Sequence, residues 1–221
     1  MIKKFNLDET ELTANYEEFL KFVESKFTGE RQQKLLEMYS SDFYAQSLCL
    51  SPASMCSHWH YAFPGGYIIH IMNVVKGSFG QKKLYEAMGL VVDWTDEQMV
   101  FAALHHDLGK LGDPDLGEYY VNQDNDWKAK QGEVYKMNPD MQYMEVTDRA
   151  VYILQKYGIK YDWKEQLSIK LADGMYNEGN EKYLKTFRSE NSLRTNLPII
   201  IHAADYMSCT CERNEWRELN K

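Results

Sequence analysis

The feature that most restricts this chain is an apolar helical run ending on adjacent ionisable residues, Ala102-Ala103-Leu104-His105-His106-Asp107-Leu108-Gly109-Lys110-Leu111-Gly112. Thr95 with Gln98 three residues on is a capping-box pattern, and Met99, Val100, Ala103 and Leu104 recur at helical spacing. An imidazole and a carboxylate side by side on a largely buried helix are costly to desolvate unless something pairs with them. Two solutions are open. A hydrogen bond between the two can cap the helix. Alternatively, a divalent cation satisfies both, because imidazole nitrogen and carboxylate oxygen are good ligands for first-row metals. With a cation, Gly109 lets the backbone leave the helix just after the pair, and Lys110 stands beside the metal as a fixed positive charge.

The rest of the chain reads as helix and loop, without strand-like alternation of any length, so the expected fold class is all-α. Residues 8–27 carry Leu12, Tyr16, Phe19, Leu20, Val23 and Phe27 at threes and fours, the spacing of an amphipathic helix. Thr28-Gly29 breaks it, and a second helix is expected from Glu30 to Leu48. Residues 1–50 thus form a helical extension, a cover or a dimer contact without a chemical motif. Residues 49–66 connect, carrying His58, Trp59 and His60, and helices follow from Tyr67, from Thr95, from Met144 to Tyr157, from Asp162 or Lys164 to Asp173, and from Leu197-Pro198. Between them, 118–140 is polar and aromatic with little periodicity, the composition of a lid or specificity loop, in which Lys128 and Lys130 are the cationic candidates. Residues 213–221 are a charged tail expected to fray.

Composition excludes some functions. The 221 residues are 44% apolar with 16 tyrosines and 9 phenylalanines, enough for a core of real size. A formal net charge of −8 argues against an extended nucleic-acid surface. It leaves room for a small phosphorylated substrate, because a bound metal and a few cations set the field inside a pocket. No apolar run approaches a membrane span, and Met1-Ile2-Lys3-Lys4-Phe5-Asn6 lacks a signal-peptide core, so the expected location is the cytoplasm. Cys49, Cys56, Cys209 and Cys211 lack the usual zinc-finger spacing and read as free thiols.

Two further stretches bear on the His-Asp pair: Pro64-Gly65-Gly66-Tyr67-Ile68-Ile69-His70-Ile71-Met72-Asn73-Val74, and Ile199-Ile200-Ile201-His202-Ala203-Ala204-Asp205-Tyr206-Met207-Ser208. Together with His106-Asp107-Leu108-Gly109-Lys110, they resemble the signature of the HD superfamily of metal-dependent phosphohydrolases, over residues 52 to 212. The resemblance implies an HD-domain helical bundle over 51–212 and a metal held by His70, His106, Asp107 and Asp205. Two-metal members place further histidines on the next two helices. Here Asp148 and Asp173 stand near those positions, as candidates for a second metal or for orienting water, which favours a single ion. His202, His58 and His60 are candidates for substrate contact or for supporting a ligand.

Two nitrogens and two carboxylates suit Mn, Fe, Co, Ni, Zn or Mg without choosing among them. Such an ion polarises a phosphoryl group and acidifies water, with Asp107 as ligand and nearby base and Lys110 balancing charge on the phosphate. Asp113, Asp173 and His202 are candidates for the general acid. Relatives that cleave nucleoside monophosphates often carry glutamate where Lys110 stands, which turns the expectation toward a phosphodiester or phosphoanhydride bond in a nucleotide or short oligonucleotide. A di-iron oxygenase of the same fold and a binding protein with a decayed site are the alternatives; six histidines are few for the former.

Overall fold

Capping chemistry sets where the helices begin in the computed structural model, which describes residues 6–185 and 188–219. The leader-free start expected at Met1–Phe5 and the last two residues of the tail lie outside the described residues. Asp8 accepts the Glu11 N–H while Glu11 reaches back to the Asp8 N–H, opening α1 (Glu9–Lys26). The helix expected over 30–48 is two helices, α2 (Gly29–Tyr39) and α3 (Asp42–Leu50). The break has a local cause. Ser41 Oγ donates to the Met38 carbonyl at 2.7 Å and its backbone is extended, so the serine pair closes one helix and starts the next.

The helices expected from Tyr67, Thr95, Met144, Asp162 and Leu197 form as α4 (Gly66–Ala87), α5 (Asp96–His105), α7 (Val146–Lys156), α8 (Trp163–Lys170) and α10 (Leu197–Leu219). The Thr95–Gln98 and Asp162–Glu165 capping boxes both form. Two short helices, α6 (Asp126–Lys130) and α9 (Glu181–Leu184), lie in the connections. Among the described residues the fold is all-α apart from one two-stranded antiparallel ribbon, β1 (Tyr120–Asn122) with β2 (Tyr135–Met137). That ribbon lies inside the stretch expected to be an irregular lid, and it docks on the 51–66 connector. Val134 and Tyr135 N–H groups both donate to Met55 O, and Ser57 N–H donates to Gly132 O.

One apolar core runs through the molecule, from Phe19, Val23, Leu35, Tyr39 and Tyr44 in the first three helices to Ile71, Val74, Phe101, Leu104, Ile169, Ile200 and Ala204. Fully burying one such side chain is worth about 1.5–3 kcal/mol. The N-terminal helices are therefore a cover built into the core. Arg31 of α2 adds a polar tie, donating to both carboxylate oxygens of the fully buried Glu165 on α8 at 2.7 and 3.1 Å and lying over the Phe101 ring. Helix α4 packs mainly on α10 and α5, and α8 closes the bundle against α5 and α10. No helix among the described residues is long and apolar enough to cross a membrane.

Candidate metal centre

Three helices deliver the expected ligands to one point. His70 sits on the second turn of α4, whose start is fixed by Gly65 in the left-handed conformation. A Cβ on Gly66 would lie 2.2 Å from the Tyr61 carbonyl oxygen, so the glycine pair lets the connector fold tightly over the helix that carries His70. His106 and Asp107 follow the end of α5, where the chain tightens into a 3₁₀ turn at Leu108–Leu111. Gly109 is not the helix exit that the spacing predicts. It lies inside that turn, and a Cβ there would stand 2.2 Å from Val146 O. Its small size lets α7 close on the turn. Asp205 comes from α10, in the middle of the helix.

The donor atoms converge without satisfying one another. His70 Nε2 is 3.3 Å from Asp205 Oδ1 and 3.5 Å from Asp107 Oδ2; His106 Nε2 is 3.7 and 3.5 Å from the same oxygens. Both Nε2 atoms are buried and neither makes a hydrogen bond. Each Nδ1 is engaged: that of His106 donates to Ala103 O at 2.8 Å, and that of His70 donates to Glu212 Oε2 at 3.0 Å. The Nε2 atoms are therefore left facing the carboxylates. Donors on one tetrahedral ion at 2.0–2.2 Å stand about 3.4 Å apart, close to the spacings observed. Orphaned buried nitrogens cost free energy in a fold, and a cation between them and the carboxylates removes that cost. The residues present fit a divalent metal ion. His70, His106 and Asp205 form the tight group, with donor atoms within 4.8 Å of one another. Asp107 stands outside that group, and Lys110 Nζ donates to its Oδ2 at 2.6 Å.

The field at this point favours positive charge. Burial works against an imidazolium at His70, yet Glu212 and Asp205 outweigh it and hold its pKa up to about 10. His106 is raised in the same way by Asp107 and Asp205. His105, equally buried but facing away, shows the contrast: burial pushes it down to about 3, and its Nδ1 donates to Phe101 O.

The centre floors a cleft of about 500 Å³, whose lining includes Lys110, Asp173, His202, His60, Cys209 and Arg213. Lys110 is less free than expected. It also donates to Ala53 O at 2.9 Å, which ties Asp107 to the connector and leaves one of its three donors for the cleft. Burial, with Asp107 and Asp205 adding to it, pushes the Asp173 carboxyl up. His202 donates from Nδ1 to Ala172 O at 2.7 Å, so its Nε2 is an acceptor. Asp148 stands apart: it is half-exposed, pairs with Lys170 at 2.7 Å and lines no part of the cleft. Asp113, a candidate acid, is buried against Lys156 at 3.0 Å, also away from it. His58 is exposed and packs against Trp59. No residue of 118–140 lines the cleft, and Lys128 faces Glu133 at 3.6 Å on the surface. Of the cysteines, all four free, only Cys209 reaches the cleft.

Three site residues were not read from the sequence: Glu212, Cys209 and Arg213. A signal for the first existed. The buried stripe of α10 runs Leu197, Ile200, Ile201, Ala204, Ser208, and one more turn gives Glu212. The tail expected to fray is the last part of this helix, which continues to Leu219. Comparison of the chain with protein-family models, with curated proteins and with solved structures finds no match.

Proposed function

We propose that this chain is a metal-dependent phosphohydrolase of the HD type, cleaving a phosphodiester or phosphoanhydride bond in a nucleotide or short oligonucleotide. The observation that carries the reading is the convergence of His70, His106, Asp107 and Asp205 from three helices, with two buried Nε2 atoms bare, at the floor of an open cleft. A divalent cation held there supplies Lewis acidity toward a phosphoryl oxygen and lowers the pKa of water. The remaining work falls to the chain's own side chains. Lys110 holds Asp107 Oδ2 in place and offers its third N–H to a phosphate oxygen. Arg213, whose Nε is buried without a partner, supplies a second cation in the lining of the cleft. Asp173, kept toward its protonated form by burial, can give a proton to the leaving oxygen. His202 is set by Ala172 to accept a proton at Nε2. The nucleotide part rests on the family resemblance.

The test is product release from nucleoside mono- and triphosphates, cyclic nucleotides and short oligonucleotides with Mn, Co, Ni, Fe and Mg, comparing wild type with Asp107→Ala. Turnover lost in the variant supports the reading and names the bond. Turnover that survives in Asp107→Ala refutes the assignment of the central carboxylate. Absence of turnover in both, with an oxo-bridged absorption band in the iron-loaded protein, moves the chain to the oxygenase class.

A further inference from the structure

A second set of donors lies on the cleft side of the first. His60, His70 and Cys209 offer atoms that all fall within 4.8 Å of one another. The His60 and His70 rings are 5.0 Å apart at 45°. His60 Nε2 is buried and has no hydrogen-bond partner. The connector holds the histidine there: Ser54 Oγ donates to the His60 carbonyl at 2.6 Å, and the next residue, Tyr61, is the one described non-glycine residue with positive φ, at 39°. Left-handed backbone at a tyrosine is strained and persists where surrounding structure requires it. Cys209 is one turn beyond Asp205 on α10, and its thiol donates to Asp205 Oδ1 at 3.4 Å.

We propose that His60, His70 and Cys209 form a second, softer metal seat that takes a thiolate-accepting cation such as Zn²⁺ and shares His70 with the deeper one. The inference rests on the reading above for the deep seat alone. Glu212 occupies His70 Nδ1, so Nε2 is the atom that both seats require. One lone pair serves one ion. Occupancy of the outer seat therefore withdraws His70 from the group formed with His106 and Asp205. Two nitrogens and a sulfur favour Zn²⁺ or Co²⁺, whereas Mg²⁺ and Mn²⁺ prefer the oxygen-rich deep seat. Donors on one tetrahedral ion at 2.0–2.3 Å stand about 3.5 Å apart, so donors within 4.8 Å of one another reach it with a closure of no more than about 1.3 Å. The thiol must lose its proton to bind; the cation displaces it to solvent and the Asp205 contact is given up.

The experiment uses the full chain with Co²⁺ as probe, then Zn²⁺ and Mn²⁺ in competition with a chromophoric chelator. The expected result is a near-ultraviolet sulfur-to-cobalt charge-transfer band in wild type, absent in Cys209→Ser and weakened in His60→Ala. Zn²⁺ affinity falls at least about tenfold in both variants while Mn²⁺ affinity changes less than about twofold. On the unaltered chain, where folding of a variant is not at issue, Zn²⁺ slows alkylation of Cys209 and Mn²⁺ does not. Co²⁺ binding without the band, or Zn²⁺ giving no protection, overturns the outer seat. If Mn²⁺ then still binds and supports turnover, the proposed hydrolase stands without it. Failure of wild type to bind any of these cations overturns both.

Discussion

The end of α5 and the last turns of α10 contribute to the same centre in opposite ways. At α5 the chemistry is adjacent in sequence: His106 and Asp107 neighbour each other and Lys110 is three residues on, so one backbone segment presents ligand, ligand and counter-charge together. At α10 the chemistry is spread along one face, Asp205, Cys209 and Arg213 toward the cleft and Glu212 toward His70, and it runs from the apolar patch that carries Asp205 into the charged end of the chain. Adjacent ionisable residues in an apolar run signal themselves, since their burial is costly unless something pairs with them. A carboxylate that finds its partner 142 residues away carries no local mark.

The sharpest test of the contrast removes the α5 contribution. Asp107→Ala should lower turnover on the bond identified by the panel by at least about 10³-fold. It also strands the Lys110 ammonium, so Lys110 variants should share part of the loss. Equal turnover in wild type and Asp107→Ala would mean that the convergence at α5 is structural.

Next in size is a change that touches neither region. Arg31→Ala leaves Glu165 fully buried without its guanidinium, a loss of about 3 kcal/mol on the scale of broken buried pairs. Burial already pushes the Glu165 carboxyl up, with Arg31 working against that. Without Arg31 the group rises further. Protonation then favours the folded state, so the penalty is fully present at neutral pH and is relieved as pH falls through the raised pKa. Urea midpoints of both proteins at neutral and mildly acid pH measure this. A penalty that does not shrink on acidification would show that lost packing over Phe101 dominates.

The α10 contribution comes third. Glu212→Gln keeps the volume but removes the charge that orients His70, and should weaken cation affinity about 10–100-fold, the usual cost of losing a carboxylate behind a metal-ligating histidine. Isothermal titration with Mn²⁺ reads it, with Glu215→Gln as a neighbour that contacts Tyr61 instead. Equal effects of the two would make the end of α10 ordinary packing.

Legibility follows the same division. The helices from Asp8, Thr95 and Asp162 were readable because their caps are local chemistry, and the four proposed ligands were readable as three short patches. The break at Ser40-Ser41 was not, because the apolar spacing continues across it and only the Ser41 hydroxyl interrupts the backbone ladder. The β1–β2 ribbon was not, because its order comes from docking on Met55 and Ser57 in a distant connector. His60 was visible as a candidate, but its aim depends on Tyr61 φ, which no composition reports.

Glycines give the smallest effect and the finest discrimination. Gly109 and Gly80 both lie in helical segments with ordinary negative φ, and a sequence reading treats both as weak points. The structure separates them. A Cβ at Gly109 meets the Val146 backbone, its O at 2.2 Å and its C at 3.0 Å, and Arg149 Cβ at 3.0 Å, whereas a Cβ at Gly80 meets nothing within 4 Å. Gly109→Ala must push α7 off the turn that carries Asp107, at a cost of about 1–3 kcal/mol, and should reduce cation affinity with it. Gly80→Ala gains helix propensity on an exposed face of α4 and should stabilise by about 0.5–1 kcal/mol, leaving the centre unchanged. Thermal melts of the pair should move in opposite directions from wild type. Parallel shifts would mean that the approach of α7 does not constrain the turn, and the position of Asp107 would then owe more to Lys110 than to packing.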